Sequence, residues 1–155
     1  MRILVAAVGR PREAGLAAAI RDYEHRAARY WPLDIREVRE VGGRRGADAV
    51  RQTEAEHLLA AIPAGARVVL CDELGQSHTS REFAHLLQAE RERAAEDLVF
   101  VLGGAFGLGD AVRARAWRVL ALAPWTLPHE LARLVLAEQL YRAGTIVRGE
   151  SYHKE

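Results

Sequence analysis

The chain reads as an α/β protein on a mostly parallel sheet, organised as a single domain over residues 1–155. Three observations predict this. Short apolar runs alternate with longer amphipathic segments along the 155 residues. Glycine and proline turns separate them. The two most distinctive turns each lead out of an apolar run, as a ligand pocket at the edge of an α/β sheet requires.

Arg2 to Gly9 is apolar and β-branched, ends in glycine, and predicts a buried first strand. Its likeness to a short signal peptide is superficial, because an amphipathic helix follows at once with no cleavage context. Pro11 suits the first turn of that helix. Leu16, Ile20, Tyr23, Ala27 and Tyr30 recur along it at helical spacing, and Pro32 ends it. Leu33 to Val41 alternates apolar and charged residues, the pattern of a half-exposed strand. Gly42 to Gly46, with Arg44 and Arg45, is a flexible basic loop.

Asp48 is placed to cap a second helix carried by Val50, Leu58, Leu59 and Ile62. Pro63-Ala64-Gly65 ends it. Arg67 to Cys71 predicts a short buried third strand, with Asp72 to His78 as its loop. Thr79 followed by Glu82 fits a capping box for a third helix through about Glu96. Leu98 to Leu102 predicts a fourth strand, Asp110 to Ala116 a short helix, and Arg118 to Ala123 a fifth strand. Pro128 opens a final helix with broad apolar cover from Leu131 to Tyr141. An exposed tail starts near Arg148.

Lysine plus arginine number 22 against 21 acidic residues. Bulk charge therefore does not announce nucleic acid, and any polyanion contact is a local patch. The cations are arginine except for Lys154; this suits bidentate contacts to phosphate, with genomic composition bias as the plainer reading. The single Cys71 excludes an internal disulfide, and no Cys/His spacing suits a structural metal. The apolar runs fall far short of a membrane span. A soluble cytoplasmic protein without metal is expected.

The turn from Leu102 through Gly103, Gly104, Ala105, Phe106, Gly107 and Leu108 to Gly109 is not a dinucleotide fingerprint. That motif wants glycines at i, i+2 and i+5 after the first strand, with an acidic residue about twenty positions on. A phosphate loop ending in Lys-Ser or Lys-Thr is also absent. Two readings remain: a tight turn without a ligand, or a loop whose backbone meets a ligand closely. The second turn, Ala123-Pro124-Trp125-Thr126-Leu127-Pro128-His129, shifts the balance. Two such turns after adjacent late strands would line one crevice, with the loop after Cys71 as a third wall.

His129-Glu130 is not a zinc protease motif, because Arg133 occupies the position of the second histidine. His129 either faces a ligand at the start of a helix or ties down the turn. Glu138 and Arg142 form an i,i+4 pair that reads equally as surface ion pair or site. Asp72 and Glu73 are adjacent, point to opposite sides of an extended backbone, and make no obvious acid/base dyad. Cys71 reads as core rather than nucleophile, and no Ser-His-Asp or Cys-His pattern emerges. Tyr152, His153 and Lys154 offer stacking, proton handling and a phosphate contact, against the default of a frayed tail.

Taken together, Leu102-Gly103-Gly104 with Gly107-Leu108, then Thr126 to His129, Arg133, Ala137-Glu138-Gln139, Tyr141-Arg142-Ala143 and the ending Tyr152-His153-Lys154-Glu155 closely resemble the RlmH family. These are large-subunit ribosomal RNA pseudouridine N3-methyltransferases of the SPOUT class. The resemblance runs the full length, through the opening strand, Tyr23-Glu24, Gly43 to Gly46 and Asp72 to Gly75. It implies a SPOUT-type sheet with a C-terminal trefoil knot, a homodimer, and S-adenosylmethionine bent into the knot. It implies a cofactor site at Cys71, Gly103, Gly104, Ala123, Pro124, Trp125, Thr126, Leu127 and Pro128. The implied substrate is a pseudouridine in helix 69 of 23S ribosomal RNA on the assembled ribosome. Within that frame His153 and His129 are candidates to handle the N3 proton and Tyr152 to stack on a base. Arg133, Arg142, Arg148 and Lys154 are candidate phosphate contacts. The alternatives are a SPOUT-class methyltransferase acting on another nucleotide, and a non-catalytic ribosome-binding factor.

Overall fold

The computed structural model describes residues 1–42, 44–93 and 96–152. Its elements are β1 (Ile3–Val8), α1 (Ala14–Ala27), β2 (Leu33–Val38), α2 (Ala47–Ala61) and β3 (Arg67–Ser77), followed by α3 (Ser80–Glu92), β4 (Leu98–Leu102), α4 (Asp110–Arg113), β5 (Ala116–Ala121) and α5 (His129–Val147). The strands form one five-stranded sheet in the order β2-β1-β4-β3-β5, parallel throughout.

Helices cover both faces of the sheet, which is why β1 and β4 are apolar at every position and buried at every position. On β1, Ile3, Val5 and Ala7 pack on one side with Trp31, Phe83 of α3 and Leu136 and Leu140 of α5. Leu4, Ala6 and Val8 pack on the other with Ala55 and Leu58 of α2 and Val112 of α4. The alternation follows from the period of two in a strand. Each large aliphatic side chain buried this way contributes roughly 1.5–3 kcal/mol. Polar ties fix the layers further. The buried Trp31 indole donates to the Leu140 carbonyl at 2.9 Å. Arg133 of α5 holds Glu24 of α1 and Glu37 of β2, each at 2.8 Å.

Helix ends depart from the sequence expectations in instructive ways. The α1 helix starts later than Pro11, because the Glu13 carboxylate accepts from the Gly15 and Leu16 amides and acts as the cap. Gly46, not Asp48, caps α2; Asp48 lies in the first turn and pairs with Arg51. The Thr79–Glu82 capping box on α3 is present in full, although α3 stops at Glu92. The short helix and β5 also end earlier than expected. Among the described residues no helix is long and apolar enough to cross a membrane.

The largest departure is β3. Sequence alone ends it at Cys71, yet the strand runs on to Ser77. The reason is tertiary: Leu120 of β5 faces Cys71 and again Gln76, so residues 72–75 bulge out and the chain rejoins β5 beyond them. Gly75 makes this possible. A Cβ there would lie 2.6 Å from the Leu120 carbonyl carbon and 2.7 Å from the Ala121 nitrogen, so the bulge rests on the β5 backbone. Gly75→Ala is expected to lower stability by roughly 1–3 kcal/mol through overpacking against atoms that cannot rotate away, read as a fall in the urea midpoint at unchanged slope.

Candidate functional site

Three loops leave the carboxyl ends of β4, β3 and β5, and they converge on one cleft of about 590 Å³. This is where open parallel sheets place their ligands, and the volume is that of a small-molecule site. The two late strands expected to neighbour each other do not: β3 lies between β4 and β5, so its loop is the middle wall rather than an accessory one.

The β4 loop is shaped by backbone. Gly104 and Gly107 bridge, with the Gly107 amide donating to the Gly104 carbonyl at 3.1 Å and Gly107 at φ +81°. A Cβ on Gly103 would lie 2.9 Å from the Gly107 carbonyl carbon. Leu102, Gly103, Gly104 and Leu108 thus present main chain and a small apolar surface to the cleft. Cys71 lines the floor, half-buried. Burial, with a smaller push from the Asp72 charge, raises its thiol to about 12, so it is a neutral packing group and not a nucleophile.

The β5 loop supplies Ala123, Trp125, Thr126, Leu127 and Pro128, all on the cleft wall. Pro124 lies between two of them but does not line the cleft itself. Thr126 donates its hydroxyl to Glu73, which closes the β3 and β5 loops on each other. Trp125 is 77% exposed, Phe106 in the β4 loop 50%, and Leu74 in the β3 loop 85%. One large apolar side chain therefore projects from each of the three loops.

Asp72 and Glu73, which the sequence offers as no acid/base dyad, both line the cleft. Their adjacency still serves: Asp72 turns to Arg113 of α4 at 2.5 Å and Glu73 to Thr126. Burial alone would push the Asp72 carboxyl up. The Leu74 amide and then Arg113 outweigh it and hold the group below the usual carboxylate range. The wall is therefore acidic at neutral pH.

His129 is the first residue of α5 and faces the cleft. Tyr152 does not join it. After α5, Gly149 turns the chain at φ +68°, and the Glu150 amide returns to the Thr145 carbonyl at 2.9 Å. Tyr152 then packs on Tyr141 with ring centroids 4.4 Å apart and donates to Glu138 at 3.1 Å. Burial, followed by a hydrogen bond with Tyr23, pushes its hydroxyl far up. Glu138 and Tyr141 stand two to three turns along α5 from His129, roughly 14–18 Å at 1.5 Å per residue. Within one chain Tyr152 and His129 therefore do not share a cleft. His153 and Lys154 lie outside the described residues.

The candidate phosphate contacts divide. Arg133 is buried to 6% exposure and spent on Glu24 and Glu37, so it is an internal tie between layers and not a surface cation. Arg142 does form the i,i+4 pair with Glu138, at 2.6 Å, and lies 4.9 Å from the Tyr152 ring centroid. Arg148 is exposed, stacks over Tyr30 at 4.6 Å and donates to the Arg29 carbonyl.

Comparison with known proteins places this geometry. Residues 1–153 match the family model described as a predicted SPOUT methyltransferase. A protein of Gemmatimonas aurantiaca named ribosomal RNA large subunit methyltransferase H is 63% identical over 155 residues, covering 99% of this chain and all of its own. One of the same name from Geobacter sp. strain M21 is 43% identical over the full length of both. A crystal structure of a protein from Bordetella pertussis Tohama I, described as a probable methyltransferase, superposes with a TM-score of 0.57 at 17% identity, over 92% of this chain and 95% of that one. It shares the fold.

Asp72→Asn is expected to lower stability by about 1–2 kcal/mol at pH 7, since it leaves Arg113 without its charge partner. Because the folded-state pKa of Asp72 is depressed, that difference holds above the unfolded carboxylate value of about 3.9 and fades as pH falls below it. Thermal melts of both proteins from pH 7 to pH 2.5 check this.

Proposed function

The chain belongs to the SPOUT methyltransferase family, alongside the ribosomal RNA large subunit methyltransferase H proteins; from that premise we propose that it methylates N3 of a pseudouridine in helix 69 of 23S ribosomal RNA, using S-adenosylmethionine, as a homodimer on the assembled cytoplasmic ribosome. The observation that carries the proposal is the three-loop cleft at the carboxyl ends of β4, β3 and β5.

The residues present fit that cofactor. Gly103 and Gly104 line the cleft with main chain, and a side chain on either would press on the Gly107 backbone or on Glu54 and Val8 and displace that loop. Leu102, Leu122 and Leu127 offer apolar walls for an adenine, and the backbone from Ala123 to Thr126 offers polar groups to its edge. The acidic side, Asp72 and Glu73, suits the ribose hydroxyls and positive charge of such a ligand. Bound there, S-adenosylmethionine would supply a methyl on a sulfonium, transferred by an in-line displacement that depends chiefly on positioning.

The chain's own residues then have distinct tasks. His129 is the imidazole lining the cleft among the described residues and is the candidate to accept the imide proton of N3. Trp125, projecting from the wall, offers a face for the substrate base. The C-terminal trefoil knot that the family resemblance implies belongs to the same proposal. Tyr152 is docked two to three turns from its own cleft, which supports a dimer in which the tail, including His153 and Lys154, completes the partner's site. Arg142 and Arg148 then flank the incoming RNA beside that tail.

Calorimetric titration with S-adenosylmethionine and, separately, NAD is the first test. Binding of S-adenosylmethionine alone supports the proposal; failure to bind it on ribosomes as well as free moves the chain to a non-catalytic role. Gly103→Ala, which drives a methyl into Gly107, is expected to weaken S-adenosylmethionine binding at least about tenfold. Mapping modified bases on ribosomes from a deletion strain identifies the nucleotide. Mixed dimers of a Gly103→Ala subunit with a subunit lacking residues 152–155 should recover activity that neither homodimer shows. Complete inactivity of the mixture would remove the shared-site arrangement.

A further inference from the structure

Glu54 sits on α2 with 2% of its surface exposed, a place where a carboxylate is costly. Its Oε1 accepts from the Val41 amide at 3.1 Å. Its Oε2 is buried and has no hydrogen-bond partner. Unpaired buried acceptors are rare and call for a reason. Burial pushes the carboxyl pKa up, the Val41 amide works against it, and the Glu40 charge adds to the rise.

The location of the unpaired oxygen supplies a reason. A Cβ on Gly104 would lie 2.8 Å from Oε2, and Gly104 lines the cleft. The Gly104 backbone therefore lies against this carboxyl group and, at the same residue, against the ligand space. His129, on the same cleft, is near enough to act on it electrostatically. Val8 lies on the same side, with a methyl 3.1 Å from the same Gly104 Cβ position, and burial out of water strengthens the charge interactions this carboxyl makes, with Glu40, His57 and His129 among the groups that reach it.

We propose that Glu54 is a charge-selecting residue of the cofactor site, favouring a cationic sulfonium ligand over the uncharged thioether that remains once the methyl has left. The proposal rests on the S-adenosylmethionine reading above. The carboxylate does not touch the reacting atoms. It acts through the field it sets up behind Gly104, and that field has a partner only while the ligand is positive. Methyl transfer breaks the sulfur–methyl bond, leaves the electron pair on sulfur and so discharges the ligand. The same step withdraws the attraction and favours release of the spent product.

The test is calorimetric and does not need turnover. S-adenosylmethionine and S-adenosylhomocysteine are titrated into wild type, Glu54→Gln and Glu54→Asp. Glutamine keeps an oxygen for the Val41 amide, so Glu54→Gln should bind S-adenosylhomocysteine as wild type does, which also reports that it is folded. Its preference for the cation should fall about tenfold relative to wild type, while Glu54→Asp retains most of it. An unchanged preference in Glu54→Gln overturns the inference and leaves the cofactor reading standing. Wild type that binds neither ligand overturns both. Should Glu54→Gln not fold, wild type alone decides through two analogues, one with an ammonium in place of the sulfonium and one with an uncharged carbon there. Tighter binding of the ammonium analogue supports the inference, and equal affinity overturns it.

Discussion

The pairing of β3 with β5 on both sides of a bulge is the constraint on which the site depends. Leu120 faces Cys71 and then Gln76, so the chain between them must arch outward. That arch carries Asp72, Glu73 and Leu74 to the rim of the cleft. Glycine at 75 lets the arch lie against the β5 backbone, and Thr126 latches onto Glu73 from the next loop. The Gly103–Gly107 turn, on the far side of β3, then finds itself opposite the β5 loop at the distance of one small ligand. A strand that simply ended at Cys71 would leave two unrelated turns.

Charge in the molecule is arranged in two ways, set by burial. Inside, Arg133 meets two carboxylates from different elements, and Glu90 at 3% side-chain exposure takes Arg67 at 2.7 Å and Arg93 at 3.5 Å. These pairs register helices against the sheet, and removing one partner would strand a buried charge. Around the cleft the carboxylates are held differently. Asp72 has Arg113 and the Leu74 amide, Glu73 a hydroxyl, and Glu54 only a backbone amide for one of its oxygens. An acidic, incompletely paired wall suits a ligand that brings positive charge with it.

The tail shows how far a local reading carries. Tyr152 stood out in the sequence as a candidate by its residue type, yet its position was not legible there. In the fold it is held by Tyr141 and Glu138 on the middle of α5, with Tyr30 and Arg148 fixing the preceding turn. The helix that brings His129 to the cleft is the same helix that carries the tail away from it.

Much of the fold was legible in the residues because parallel strands covered on both faces leave a plain mark. β4 coincides with its apolar run, β1 nearly so, and the Thr79–Glu82 box marks the start of α3 by local hydrogen bonds alone. The glycine turn, the second turn and His129, whose composition departs from ordinary loops, were legible as lining one crevice, and they do line one cleft. What the sequence could not determine depends on contacts between distant segments. The extension of β3 to Ser77 exists only because β5 lies beside it, and the burial of Arg133 only because Glu24 and Glu37 converge on it. The unpaired oxygen of Glu54 has meaning only because Gly104 lies against it. Local propensity is decided by a residue and its near neighbours, whereas these three are decided by partners 49 (Leu120 from Cys71), 96 and 50 positions away, and no window along the chain contains both members.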